Sequence, residues 1–261
     1  MDAWIIAGVA FTMMFASAVC ALICASRLPD HHLSSATQDT VKLGVGMIAA
    51  VASLILGLMV ASLQSAFNSS ANDVRNYAMS LLSLDLDLGR FGQGVCAERK
   101  LVLDHARAVI DETWTPFLGS GGPAPRQDLG RVAPLILNLD TSAESLKPLT
   151  DAQHTIRKAI EADLRTLVTQ RWQIHGDSQS NIPTAFLVVL IVWLALIFGS
   201  FGLFAPPNAL VVGALFLCSL SIAGALFLIV EMASPFDGLI QVSSAPMREV
   251  VSIMERQACA G

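Results

Sequence analysis

The chain has 261 residues, 54% of them hydrophobic and only 14% charged, with a mean hydropathy of +0.60. Such values lie outside the range of soluble domains, so part of the solvent is lipid and a soluble enzyme is excluded. A net charge of −5 and a pI near 5.5 leave no basic patch to neutralise phosphates, which argues against a nucleic-acid partner.

A helix needs roughly 20 apolar residues to cross a hydrocarbon core. Four charge-free stretches reach that length: Ala3–Ser26, Leu43–Ala66, Thr184–Ala205 and Ala209–Val230. The first is preceded by Met1-Asp2, with no positive n-region, and its apolar run exceeds a signal core, so a retained helix is expected. A polar loop holding Asp30, His31, His32 and Asp39 joins the first two spans. Adjacent histidines without further ligands read as linker rather than a metal site. The last two spans are joined by Ala205-Pro206-Pro207-Asn208, which permits only a tight antiparallel reversal, with Asn208 placed to cap the next helix.

Between the second and third spans lies the one sizeable extramembrane segment. From Asp73 to Trp114 apolar residues recur at helical spacing, as Leu81, Leu84 and Leu88, then Leu101, Val102, His105 and Val109, with Gly92 and Gly94 separating two pieces. The run from Gly119 to Pro125 cannot continue a helix and reads as a loop. A further helix is expected over Thr150 to Ile174, with Ile156, Ile160, Leu164, Leu167 and Val168 on one face. Asp85 and Asp87, two residues apart, point to different faces and are expected at a solvated surface. Nothing in the sequence groups His105 or His154 with other chemistry.

The expected architecture is therefore all-α: an integral membrane protein with four transmembrane helices and a helical insert between spans two and three. Its expected divisions are 1–67, transmembrane helices one and two; 68–183, a helical cytoplasmic domain; 184–230, a transmembrane hairpin; and 231–261, a cytoplasmic tail. Four spans put the N-terminus, insert and tail on one side. That side carries Arg75, Arg171 and Arg248 near span ends, with Arg165 and Arg256 farther off, against Arg27 and Lys42 opposite. The positive-inside rule places the more basic side in the cytoplasm.

The second span is the most informative. Wound at about 100° per residue, it gathers Gly46, Ala50, Ser53, Gly57, Gln64 and Asn68 on one face and Ile48, Val51, Ile55, Leu58 and Met59 on the other. Small residues at Ala49, Ser53, Gly57, Ala61 and Ser65 also suit close helix packing. Amides face lipid poorly, so Gln64 and Asn68 favour a polar pathway or subunit interface. The pore-lining candidates are Gly46, Ser53, Gly57, Gln64 and Asn68. No span contains an ionisable residue, which disfavours an ion-coupled pump. Glu231 and Asp237, flanking a turn after the last span, are interface or gating candidates, with helix termination as the simpler role.

No phosphate loop, nucleophile elbow, zinc-protease histidine pair or dinucleotide fingerprint is present, so neither an enzyme nor a cofactor is expected. Cys20, Cys24 and Cys218 lie in apolar runs while Cys96 and Cys259 stand alone, which suggests neither a disulfide framework nor metal ligation.

Several segments carry a family resemblance: Ser180-Asn181-Ile182-Pro183 before the third span, Trp193 within it, and Phe198-Gly199-Ser200-Phe201-Gly202-Leu203 leading into the hairpin. Glu231, Pro235-Phe236-Asp237-Gly238-Leu239-Ile240 and Val242-Ser243-Ser244 continue it, as does Val51-Ala52-Ser53-Leu54-Ile55-Leu56-Gly57-Leu58. With the order of spans, these resemble the bestrophin-like domain family of bacterial and plant membrane proteins, itself distantly similar to the pentameric bestrophin ion channels. The resemblance implies a homo-oligomeric channel, pentameric by analogy, in a bacterial inner membrane, passing small ions, mostly anions, along its second helix. No acidic cluster matches a calcium clasp, so calcium gating is not implied. A non-conducting scaffold or accessory subunit docked on other membrane proteins is the alternative.

Overall fold

The computed structural model describes residues 3–25, 27, 35–92, 94–114, 138–139, 141–143, 146–177, 184–236 and 238–257. The histidine pair, the loop from Gly119 to Pro125, Asp237 and Cys259 lie outside the described residues. The helices are α1 (Ala3–Ala25), α2 (Ser35–Phe91), α3 (Cys96–Trp114), α4 (Asp151–Asp177), α5 (Thr184–Phe204), α6 (Ala209–Met232) and α7 (Ala245–Arg256). No strand occurs among the described residues. By length and composition α1, α2, α5 and α6 are able to cross a membrane. The chain divides into two compact units: Met1–Ser65 with Asn181–Ser234, and Ala66–Ser180 with Pro235–Gly261.

In the first unit α1 packs chiefly on α5 and also on α6. The buried residues of α1 (Ile6, Ala10, Met14, Ala18 and Leu22) are three or four apart, so they form one ridge. That ridge meets Leu190, Leu194, Ile197 and Phe198 of α5 and Leu215, Ala223 and Leu226 of α6. Small residues on both sides bring the backbones of α1 and α5 close. Ser17 Oγ donates to the Ala195 carbonyl at 2.8 Å. A Cβ on Gly199 would stand 2.7 Å from Ser17 Oγ, and one on Gly202 would overlap the backbone carbonyl of Ala18. As expected, Asn208 caps α6, its Oδ1 accepting from Val211 N at 2.8 Å.

In the second unit, the part of α2 beyond Ala66 contributes Val74, Tyr77, Ala78, Leu81, Leu84 and Leu88 to a core. α3 adds Val102, Ala106 and Val109, α4 adds Ile160, Leu164 and Leu167, and α7 adds Met247, Val250 and Met254. The expected stripes are thus largely realised, except that Val168 is exposed, turned about 100° away from buried Leu167. The break between α2 and α3 uses Gly92 and Gly94 at φ of 127° and 107°, a region that side chains disfavour. Gln153 Nε2 then donates to the Phe91 carbonyl at 2.9 Å, satisfying one of the last carbonyls of α2. The conspicuous tail segment is held by Trp114: its Nε1 donates to the Val242 carbonyl at 2.7 Å, and its ring meets Phe236 edge-on at 5.8 Å.

The α1–α5 seam gives a controlled test. Gly202→Ala should lower stability by about 1–3 kcal/mol through overpacking. Gly213→Ala, whose Cβ would meet nothing within 4 Å, should be neutral or slightly stabilising through helix propensity. Thermal unfolding in detergent reads both, and an unshifted midpoint for Gly202→Ala would refute the close-approach account.

Candidate functional site

Within the first unit α2 is the least covered of the four apolar helices. Only 6% of its apolar stretch is buried, against 28%, 33% and 28% for α1, α5 and α6, so most of its surface is left exposed among the described residues. The side that does pack carries Val45, Ile48, Ala49, Ala52, Leu56, Met59 and Leu63. Ile48 and Met59, expected to face lipid, therefore face the bundle; they fall on the same side as Ala52 once the helix is wound.

The exposed remainder has two characters. Met47, Val51, Leu54 and Leu58 form a large apolar strip. Beside it lie Gly46, Ser53, Gly57 and Gln64, all exposed. A Cβ on Gly44, Gly46 or Gly57 would meet nothing within 4 Å. Of the small residues at four-residue spacing, Ala49 packs on the core, while Ser53, Gly57, Ala61 and Ser65 are exposed among the described residues. Gly46 additionally borders a groove against α5, which Ser53, Gly57 and Gln64 do not.

In the second unit Asn68 is exposed. Seven residues on, and so within about 20° of the same face, is Arg75, which is exposed and makes no ion pair among the described residues. By contrast Arg90 of the same helix pairs with Asp87 at 3.1 Å.

Glu231 departs from expectation. α6 runs on to Met232, so the carboxylate sits in the last helical turn, buried in the first unit rather than exposed after a span.

The second unit also holds buried polar pairs. Asp85, expected at a solvated surface, is 2% exposed and takes a two-pronged bond from Arg99, at 2.9 Å from Nε and 2.7 Å from Nη2. The glycine turn folds α3 back so that the guanidinium reaches the carboxylate, and this pairing is what permits the charge inside. Tyr77, the one tyrosine of the chain, lies 2.6 Å from His105 Nε2. Burial, aided by Arg171, lowers the His105 pKa from 6.5 to about 4. Burial likewise raises the Tyr77 phenol well above its ordinary range. Arg171 is itself buried and donates to Glu112 Oε2 at 3.2 Å and Thr113 Oγ1 at 3.3 Å. His105 is thus grouped after all, in a neutral, structural setting. No cluster of three metal-ligating side chains occurs among the described residues. Cys96 does not stand alone: it forms a disulfide, whereas Cys20, Cys24 and Cys218 are free.

The family pattern of the bestrophin-like domain matches residues 12–247. The chain belongs to the bestrophin-like domain family. Its fold is similar to that of a bacterial bestrophin homolog from Klebsiella pneumoniae, crystallised with an isoleucine-to-threonine substitution: TM-score 0.66 and 13% identity over 97% of this chain and 99% of that one. A second crystal structure of that homolog, with a leucine-to-threonine substitution, gives a TM-score of 0.62 and 12% identity over 95% and 97% of the two chains. No curated protein matches.

A histidine held neutral in the fold but free to charge when unfolded couples stability to pH. The unfolded chain binds the extra proton between pH 6.5 and 4, so the contribution is complete above about 6.5 and fades as pH falls toward 4, by about 3 kcal/mol in total. His105→Gln, which retains a partner for Tyr77, should flatten that part of the stability–pH curve. Chemical denaturation across a pH series measures it, and an unaltered slope would dismiss His105 as the cause.

Proposed function

We propose that this bestrophin-like protein is an oligomeric channel for passive flux of small ions, chiefly anions, with α2 lining the pathway. The observation that carries it is the exposed face of α2, small and amide-bearing in a helix that otherwise packs or presents large apolar side chains. Family membership and the fold likeness support the same assignment. In it, α1, α2, α5 and α6 cross a bacterial inner membrane. Gly46, Ser53, Gly57, Gln64 and Asn68 face the pathway of a homo-oligomer, five copies by analogy with bestrophins. Amides and backbone dipoles replace part of an ion's hydration without a fixed charge at membrane depth. Arg75, exposed and without an ion pair among the described residues, lies beyond Asn68 and favours anions. Glu231 and Asp237 are assigned to gating or subunit contact, and no catalytic or cofactor role is assigned.

Liposome flux assays test the pathway. Gln64→Phe and Asn68→Phe should each lower anion flux by about tenfold or more, and Arg75→Glu should shift selectivity toward cations while flux persists. Unchanged flux in both phenylalanine variants would overturn the assignment of α2. Particle mass in mild detergent separates the accessory-subunit alternative: identical subunits in a ring fit the channel, and a monomer or a fixed complex with unrelated chains fits the scaffold.

Orientation has two readings. The arginine count favours the insert and tail in the cytoplasm, whereas a disulfide at Cys96 favours an oxidising compartment. We propose the cytoplasmic placement, on which a fluorescent protein that matures only in the cytoplasm should light up when fused to the C-terminus. A dark fusion beside an active periplasmic reporter would reverse it.

A further inference from the structure

We propose that the groove between α2 and the end of α5 is a binding site for an anionic phospholipid. The groove has a volume of about 360 Å³, within the range of ligand sites. Its walls are mostly apolar, with Val45 and Ala49 on α2 and Phe201 and Phe204 on α5, and Ser200 adds one hydroxyl. Gly46 leaves it wide, since a Cβ there would meet nothing within 4 Å. The single charged group of the lining is Lys42.

Lys42 stands where the charge-free run of α2 begins, and Phe204 ends α5, so the groove opens at the apolar–polar boundary of both helices. The ammonium lies 5.8 Å from the centroid of the Phe204 ring and 3.4 Å from Gln38 Oε1. It makes no ion pair among the described residues, so the ring steadies it while donors stay available. A cation at the rim of an apolar slot matches a ligand with a phosphate at one end and a hydrocarbon chain at the other. Free phosphate would find one cation and no further charged partner. The assignment needs α2 and α5 to lie in a bilayer, as proposed above, and needs no conduction.

Native mass spectrometry of the purified protein tests it, with phosphatidylglycerol or phosphatidylcholine added. The wild type should retain phosphatidylglycerol preferentially, and Lys42→Gln should cut that preference about fivefold. Lys42→Arg should keep it, as should Arg27→Gln, which removes a cation outside the groove. Gly46→Leu, filling the slot with Lys42 intact, should also reduce retention. Equal retention of the two lipids by the wild type, or an unchanged preference in Lys42→Gln, would overturn the site while leaving the channel proposal standing. Retention of neither lipid would sink the membrane placement with it. Competition by inorganic phosphate alone, as effective as the lipid, would reduce the groove to an anion contact and overturn the lipid assignment.

Discussion

The close approach of α1 and α5 is the constraint on which the apolar unit depends. Lipid tails are as apolar as leucine, so helices in a bilayer gain little from hiding apolar surface from one another. What holds them is contact made at short range, together with hydrogen bonds that have no water to compete with. Ser17, Ala18, Gly199 and Gly202 supply both: missing side chains let the backbones meet, and the Ser17 hydroxyl bonds the Ala195 carbonyl. The glycines of the family motif in α5 are thereby explained as packing residues, not as flexible points.

With α5 and α6 each packed on α1, α2 contributes a single packed side and leaves the rest of its surface exposed among the described residues. Its glycines differ in kind from those of α5. Gly199 and Gly202 have a neighbour inside the chain that excludes a side chain, whereas Gly44, Gly46 and Gly57 face open space. Among the described residues nothing asks for glycine at those positions, where it lowers helix propensity.

The four long apolar helices were legible because roughly 20 charge-free residues have few uses other than a continuous helix able to cross a bilayer. The Gly92–Gly94 break and the Asn208 cap were legible because each is decided by one or two adjacent residues. Periodicity separated the small exposed residues of α2 from Ile48 and Met59, but it does not say which part of the large apolar face meets the bundle. Features missed share another property: their partners lie far along the chain. Asp85 sits four residues after Leu81 and three before Leu88, squarely on the apolar stripe, which signalled burial. The surface expectation rested on Asp85 and Asp87 pointing to different faces, and it had no view of Arg99 across the turn. Tyr77 with His105, and Gly202 with Ala18, are pairings that only the folded chain reveals.

Charge is partitioned in a way that bears on mechanism. The apolar runs of α1, α2 and α5 carry no acidic or basic side chain and α6 carries Glu231 alone, buried in its last turn, while the second unit buries Asp85, His105 and Arg171, each met by a polar partner. Removing one member of such a pair leaves the other stranded in a poorly solvated interior, so the pairs resist rearrangement more than apolar packing alone would. A fixed charge within the span would bind a counter-ion and slow its exit. Side-chain amides and backbone dipoles attract more weakly, which suits passive flux better than coupled transport.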